Sequence, residues 1–353
     1  MVEVGASDLH LRAGSPPFVR VDGQLDPCPY PPLTSRDTEM LVTELLPVRK
    51  VTEFQETNEA DAGFSMSGIG RFRVNCFRQR GEVSLAIRRV RTDGPSFEEL
   101  RLPAVVRDLA EAARGLVLVT GPAGTGKTTT IAAMIGHINE TRRAHIVTIE
   151  DPIEVVHEDR RSIIDQREIG VDTYSFGAAL RHVIRQDPDV IFLGEIRDSE
   201  TAEAALSAAE TGHLVISTMH TVDATETVNR MLDLLPATAQ RQARFSLAAS
   251  LRGTISQRLI PRADGKGRVP AVEALVHNGR VRERIIDAAA TSSIVEVIAE
   301  GEFYGMQTFD QALVKLVRDG LVTEQDARDA ATNPHDFALA LRGIEVTTAP
   351  VAG

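Results

Sequence analysis

Apolar residues follow two different rhythms along this chain. Up to about Arg91 they alternate with polar residues in short stretches. Phe18-Val-Arg-Val-Asp-Gly23 and Arg71-Phe-Arg-Val-Asn-Cys-Phe77 show the period of two that marks a half-buried strand, and Ser35 to Leu46 between them carries apolar residues at helical spacing. The pattern predicts a small mixed first domain over residues 1–91. Thr92-Asp-Gly-Pro-Ser-Phe97 is rich in turn formers and Pro103 follows soon after, so a linker is expected over residues 92–104. A helix is expected over Val105 to Ala113, opening a second domain over residues 105–353.

From Gly115 the rhythm changes. Solid apolar stretches at Leu116 to Thr120, His145 to Ile149, Val190 to Leu193 and Leu214 to Thr218 are separated by amphipathic segments. Strands that are apolar on both faces and alternate with helices predict a mostly parallel sheet covered on both sides. Asp223 and Glu226 have capping-box spacing ahead of Val228, Met231, Leu232 and Leu235. Beyond about Arg262 the sequence reads as helical, through Met306 to Asp310 and Leu313 to Asp319, and the small, uncharged Val346 to Gly353 is expected to fray.

Composition narrows the function. The 353 residues suffice for two ordinary domains, and 42% hydrophobic with 25% charged content is that of a soluble globular protein. A formal charge of −11 argues against a protein whose main work is holding nucleic acid, which needs clustered cations. Cys28 and Cys76 form neither a metal-ligand pair nor a disulfide framework, which suits a reducing cytosol. No apolar run approaches the roughly 20 residues that span a bilayer, and the first residues lack a secretory pattern. Any membrane association is therefore expected to run through a protein partner.

Gly121-Pro122-Ala123-Gly124-Thr125-Gly126-Lys127-Thr128 matches G-x-x-x-x-G-K-[ST] at every specified position. An apolar strand precedes it, and a helix is expected over Thr129 to Ile138. In such a loop the backbone N–H groups cradle phosphates at a helix N-terminus, the lysine reaches the β- and γ-phosphates, and the hydroxyl of Thr128 reaches Mg²⁺. ATP with Mg²⁺ is the expected ligand.

Three further segments end or follow apolar strands, where the chain faces the ligand crevice of such a sheet. Ile149-Glu150-Asp151-Pro152-Ile153-Glu154 places Asp151 and Glu154 on a turn from which both are expected to reach the site, as acids for Mg²⁺ and, for Glu154, for catalysis; the alternative is a solvated acidic loop. In Asp189-Val-Ile-Phe-Leu-Gly194-Glu195 the strand-ending acid arrives one residue late, as Glu195, suited to activating water and to helping with Mg²⁺; pairing with Arg197 or Arg185 is the plainer reading. In Thr211-Gly-His213-Leu-Val-Ile-Ser-Thr-Met-His220, His220 leaves the strand at the carboxyl edge, within reach of a γ-phosphate. His213 enters at the other edge, where packing or capping suits it as well.

Taken in order, the four segments resemble the secretion ATPase superfamily: a Walker A loop, an acidic box, an atypical Walker B strand and a histidine box. Gly5-Ala-Ser-Asp-Leu-His-Leu11, Arg20-Val-Asp-Gly23, Gly70-Arg-Phe-Arg-Val-Asn75 and Gly305-Met-Gln-Thr-Phe-Asp310 extend the likeness to PilT-type retraction ATPases, over residue 5 to about 330. The resemblance implies a PAS-like α+β N-terminal domain, a RecA-like P-loop domain, nucleotide between the two, and a homohexameric ring in the cytoplasm. Such a ring acts on an inner-membrane pilus platform protein and touches the membrane only through it. The resemblance also implies arginines that stabilise the transferring phosphoryl group; Arg73 and Arg88 are favoured, with Arg71, Arg80 and Arg89 close by.

Assembly and type II secretion relatives carry a four-cysteine zinc segment, whereas no cysteine follows Cys76 here. The retraction signature Ala-Ile-Arg-Asn-Leu-Ile-Arg-Glu corresponds to Arg280-Val-Arg-Glu-Arg-Ile-Ile-Asp287, where Arg282 and Ile285 agree and Arg280, Arg284 and Ile286 depart. The rival readings are an assembly or secretion motor, a RecA-like nucleic-acid motor, and a non-hydrolysing interaction protein.

Overall fold

The computed structural model describes residues 1–343 other than Asp22, Ser67 and Asp93. The expected fraying of Val346 to Gly353 concerns residues outside that set. Contacts divide the chain into two units. One comprises residues 1–93, 150–158 and 166–175; the other comprises 94–149, 159–165 and 176–353. The linear division expected from the sequence differs here, because the acidic segment after β9 (His145–Glu150) groups with the first unit.

The first unit is an antiparallel sheet with helices on one face. Its strands are β1 (Asp8–Arg12), β2 (Phe18–Val21), β3 (Gln24–Pro27), β4 (Glu59–Met66), β5 (Gly70–Gln79) and β6 (Glu82–Arg89), in the order β3-β2-β1-β6-β5-β4. Alternation in β5 sends Phe72, Val74 and Cys76 into the core, where Val74 pairs with Ile87 and Cys76 with Leu85 of β6. Burial pushes the Cys76 thiol up to about 12. The helices Ser35–Leu45 and Val48–Thr57 cover this face with Val42, Leu46 and Phe54. A capping box between Thr34 and Asp37 starts the first of them. A short parallel pairing joins β7 (Arg91–Thr92) to β10 (Val155–Val156) in the same unit.

The second unit is built on β8 (Gly115–Thr120), β9 (His145–Glu150, all but its last residue), the first half of β11 (Ile163–Glu168, residues 163–165), β12 (Val190–Leu193), β13 (Leu214–Met219), β14 (Leu251–Pro261) and β15 (Arg268–Val276). Their order is β11-β9-β12-β13-β8-β14-β15, and β9, β12, β13, β8 and β14 run parallel. Every residue of β8, β12 and β13 is buried, as solid apolar strands between two helical layers require. The four strands expected here are present within one or two residues, and the helix expected over Val105 to Ala113 spans Ala104–Ala110.

The stretch after Arg262 departs from expectation. Instead of continuing as helix, the chain turns and returns as β15, antiparallel to β14 from Pro261↔Arg268 to Gly253↔Val276. Val269 to Val276, apolar but for Glu273, has no clear period to separate strand from helix, so the sheet edge decides. Pro270 is tolerated because β15 is an edge strand. Helices resume at Gly279–Ile286 and at Phe309–Arg318, which Thr308 and Gln311 cap reciprocally.

Candidate active site

Four consecutive strands in the order β9-β12-β13-β8 end at the same edge of the parallel sheet. Phosphate loop, Glu195 and His220 leave from the carboxyl ends of β8, β12 and β13, so segments scattered over a hundred residues of sequence become neighbours there.

The loop Gly121–Gly126 joins β8 to the helix Lys127–Thr141. Gly121 lies at φ 142°, and a Cβ there would stand 2.6 Å from Thr125 Oγ1 and 2.7 Å from the Gln257 carbonyl, so only glycine fits. Gly126, also left-handed, is the helix N-cap. The helix begins two residues earlier than expected, which puts Lys127 and Thr128 in its first turn, among the unpaired N–H groups that favour anions. Lys127 Nζ donates across the loop to the carbonyls of Gly121 (2.7 Å) and Pro122 (3.0 Å). Burial lowers the pKa of its ammonium, and the Glu195 carboxylate opposes that by favouring the charge.

Glu195 follows Gly194 on a loop tied down on both sides. Gly194 N–H donates to Ile149 O at the end of β9, Thr218 Oγ1 donates to Gly194 O at 2.6 Å, and Ile196 N–H donates to Thr218 O. The Glu195 side chain is only 12% exposed. One oxygen pairs with Arg197, as the plainer reading of the sequence had it; the other, Oε2, is buried without a hydrogen bond and lies 3.6 Å from His220 Nε2. A buried carboxylate oxygen left unpaired is costly, and a catalytic role for its lone pair is one explanation of it. His220 is half-exposed, whereas His213 Nδ1 sits 2.9 Å from Ala208 O at the end of the helix Ser199–Glu210, a capping position. Asp189, at the start of β12, accepts from His145 N–H and fixes the strand pair at the opposite edge from Glu195.

Asp151, Glu154, Arg73 and Arg88 belong to the first unit. Arg73 and Arg88 are directly opposed on β5 and β6, an arrangement of like charges that is unfavourable unless each finds a carboxylate. Arg73 Nη1 lies 3.3 Å from Glu154 Oε1, and Arg88 Nε donates to Asp8 Oδ1 at 2.7 Å. Together with Asp61, Asn75 and Asp151 they line a polar cavity of about 470 Å³. Arg71 is committed elsewhere, to Glu168, and Arg80 is a left-handed turn residue between β5 and β6.

One feature escaped the sequence reading. A cleft of about 380 Å³ adjoins the phosphate loop, lined by Leu100, Thr129, Leu259, Arg262, Arg268 and Pro270. Five of its fourteen lining residues, Arg262, Gly267, Arg268, Val269 and Pro270, come from β15 and the turn before it, where the sequence predicts helix.

Fold and loop together define a RecA-like P-loop ATPase. The family model described as type II/IV secretion system protein matches residues 68–334. A Pseudomonas aeruginosa protein named "Type IV pilus retractation ATPase PilT" is 42% identical over 94% of this chain and 96% of its own length. A Neisseria gonorrhoeae twitching motility protein is 44% identical over 92% and 86% respectively. The crystal structure of the pilus retraction motor PilT with bound ADP superposes with a TM-score of 0.85 at 46% identity, covering 95% of this chain and 96% of that one. This chain belongs to the type II/IV secretion system family, as a PilT-type ATPase with a strand-rich N-terminal domain and a mostly parallel C-terminal sheet. No helix among the described residues is long and apolar enough to cross a membrane.

Proposed function

We propose that this chain is the subunit of a six-membered cytoplasmic ring that hydrolyses MgATP to withdraw a type IV pilus, acting on an inner-membrane platform protein and so driving twitching motility. The Pseudomonas relative carries pilus retraction in its name and the Neisseria relative carries twitching motility, and the likeness of both extends over nearly the whole chain. The observation that carries the hydrolytic reading is Glu195 Oε2: buried, without a hydrogen bond, beside His220 and within the field of Lys127.

The phosphate loop, residues Gly121 to Thr129, holds the di- and triphosphate through backbone N–H groups and the helix N-terminus. The adjoining cleft, with Leu259 and Pro270 as apolar walls and Arg262 and Arg268 at its rim, takes the nucleoside end. Lys127 exchanges its two loop carbonyls for phosphate oxygens. Glu195 accepts the proton of the attacking water as that oxygen bonds to the γ-phosphorus. The bond from the γ-phosphorus to the bridging oxygen breaks, and ADP leaves with the electron pair. Thr128 and Glu195 offer oxygen donors that suit Mg²⁺, which would supply charge neutralisation on the phosphates when bound; Asp151 and Glu154, in the first unit, are further donors of the same class. His220 senses the terminal phosphate from the end of β13. Arg73 and Arg88 are the cations for the transferring phosphoryl group, from this subunit or a neighbour in the ring.

The test is steady-state turnover of purified Glu195→Gln. Its kcat should fall by about 10²–10⁴-fold while a fluorescent ATP analogue still binds. Turnover at the wild-type rate would remove Glu195 from the role of base.

A further inference from the structure

The acidic segment that follows β9 is braced by two alternate residues of β11, Gln166 and Glu168, which share one face of the strand. Gln166 works at the ends of the segment. Its Nε2 donates to Glu150 Oε1 (3.1 Å) and to Val155 O (2.9 Å), and its Oε1 accepts from His157 N–H (2.9 Å). Glu168 works at the middle. Its Oε2 accepts the backbone N–H of Ile153, the residue before Glu154, at 3.0 Å, and the same oxygen receives Arg71 Nη2 at 2.6 Å.

This ion pair is buried, with Glu168 at 3% and Arg71 at 17% side-chain exposure. Room for it depends on Gly63 of β4, where a Cβ would stand 2.7 Å from Arg71 Nη2 and 2.9 Å from Glu168 Oε1. Glu168 is itself fixed, its N–H donating to Asp172 Oδ2 at 2.8 Å. The hydrolytic scheme gives none of these groups a part, yet all converge on the backbone that carries Asp151 and Glu154. Two neighbours on one strand divide the labour: Arg71 holds the loop's main chain through Glu168, and Arg73 meets Glu154 directly.

We infer that Glu168, with Arg71 and the space left by Gly63, is a positioning residue for ATP hydrolysis that sets where the Glu154 carboxylate stands. The inference rests on the proposed participation of Glu154 in turnover. A buried pair is often no more stabilising than apolar packing, so its retention here is better explained by the loop geometry it fixes.

The experiment is a double-mutant cycle on the full-length protein with hydrogen exchange alongside. Glu168→Ala should lower kcat at least tenfold with KM for ATP within threefold, and should cost nothing further in a Glu154→Ala background. The Ile153 amide should exchange at least tenfold faster, while amides of β13 keep their protection. Glu168→Gln, which retains an acceptor for Ile153 N–H, should recover part of the rate, and serves alone in the cycle if the alanine variant does not fold. Losses that multiply across Glu154 and Glu168 would overturn the positioning role and leave Glu154's role standing. Unchanged Ile153 exchange in the folded alanine variant would overturn it as well. Wild-type turnover in Glu154→Ala would overturn the role of Glu154 and the inference built on it.

Discussion

At the scale of single residues, Lys127 lies in the field of Glu195, and the proposed scheme gives the two different steps. Lys127 makes two hydrogen bonds, both to carbonyls of its own loop, so its removal deletes little that the fold uses. Lys127→Ala should abolish measurable hydrolysis and weaken nucleotide binding, with far-UV circular dichroism unchanged and the melting temperature within a few degrees of wild type. A collapsed spectrum would show instead that the lysine is structural. The phosphate loop was legible in the sequence because all of its chemistry is contiguous between Gly121 and Thr128. The places of Glu195 and His220 at the sheet edge were legible because each follows an apolar strand. Glu168 was not, since its meaning lies in Arg71, 97 positions away in the chain. A lone glutamate in a polar stretch gives no sign of such a partner.

At the scale of elements, β15 illustrates what an apolar run conceals and carries a consequence for stability. Its Glu273 is 5% exposed and accepts the N–H of Ala224, the first residue of the helix Ala224–Asp233 that follows His220. The capping box expected at that helix is half formed: Asp223 accepts from Glu226 N–H, while Glu226 turns to Val222 N–H. Burial raises the Glu273 carboxyl to about 7; the Ala224 N–H and Arg258 oppose this, and Asp223 and Asp310 add to it. With the folded value raised from about 4.5 in the unfolded chain, the folded state binds the extra proton between those pH values. The stability this group contributes is therefore fully present below about pH 4.5 and is lost as pH rises through about 7, a difference of roughly 3 kcal/mol. Glu273→Gln keeps the acceptor for Ala224 and removes the charge. It should melt several degrees above wild type at pH 8 and converge with it near pH 5, by scanning fluorimetry across that range. A constant offset between the two proteins would place the raised carboxyl elsewhere. Reading β15 as helix hid this residue, because only the pairing with β14 turns Glu273 inward at a helix N-terminus.

At the scale of the whole molecule, the direction of force is the property that neither loop nor sheet encodes. The helix Gly279–Ile286 bears on it, because it occupies the place of the retraction signature. Val281 and Ile285, which keep the apolar character of that signature, are its buried residues, one turn apart. Of the departures, Arg280 is exposed and pairs with Glu300 at 2.7 Å. Arg284 and Ile286 are half-buried, with the Arg284 Nε buried and without a hydrogen bond, so the changes leave Val281 and Ile285 seated while altering the charge beside them. A net charge of −11 further separates this motor from RecA-like proteins that act on nucleic acid, and its turnover should be unaffected by single- or double-stranded DNA. In the native host, loss of the chain should leave cells with more surface pili and no twitching, and a plasmid copy bearing Lys127→Ala should fail to restore movement. Electron microscopy counts of pili, taken with surface motility on the same strains, decide the direction. Cells without pili would make the chain an assembly motor, and unchanged pili with normal spreading would separate it from pilus work altogether.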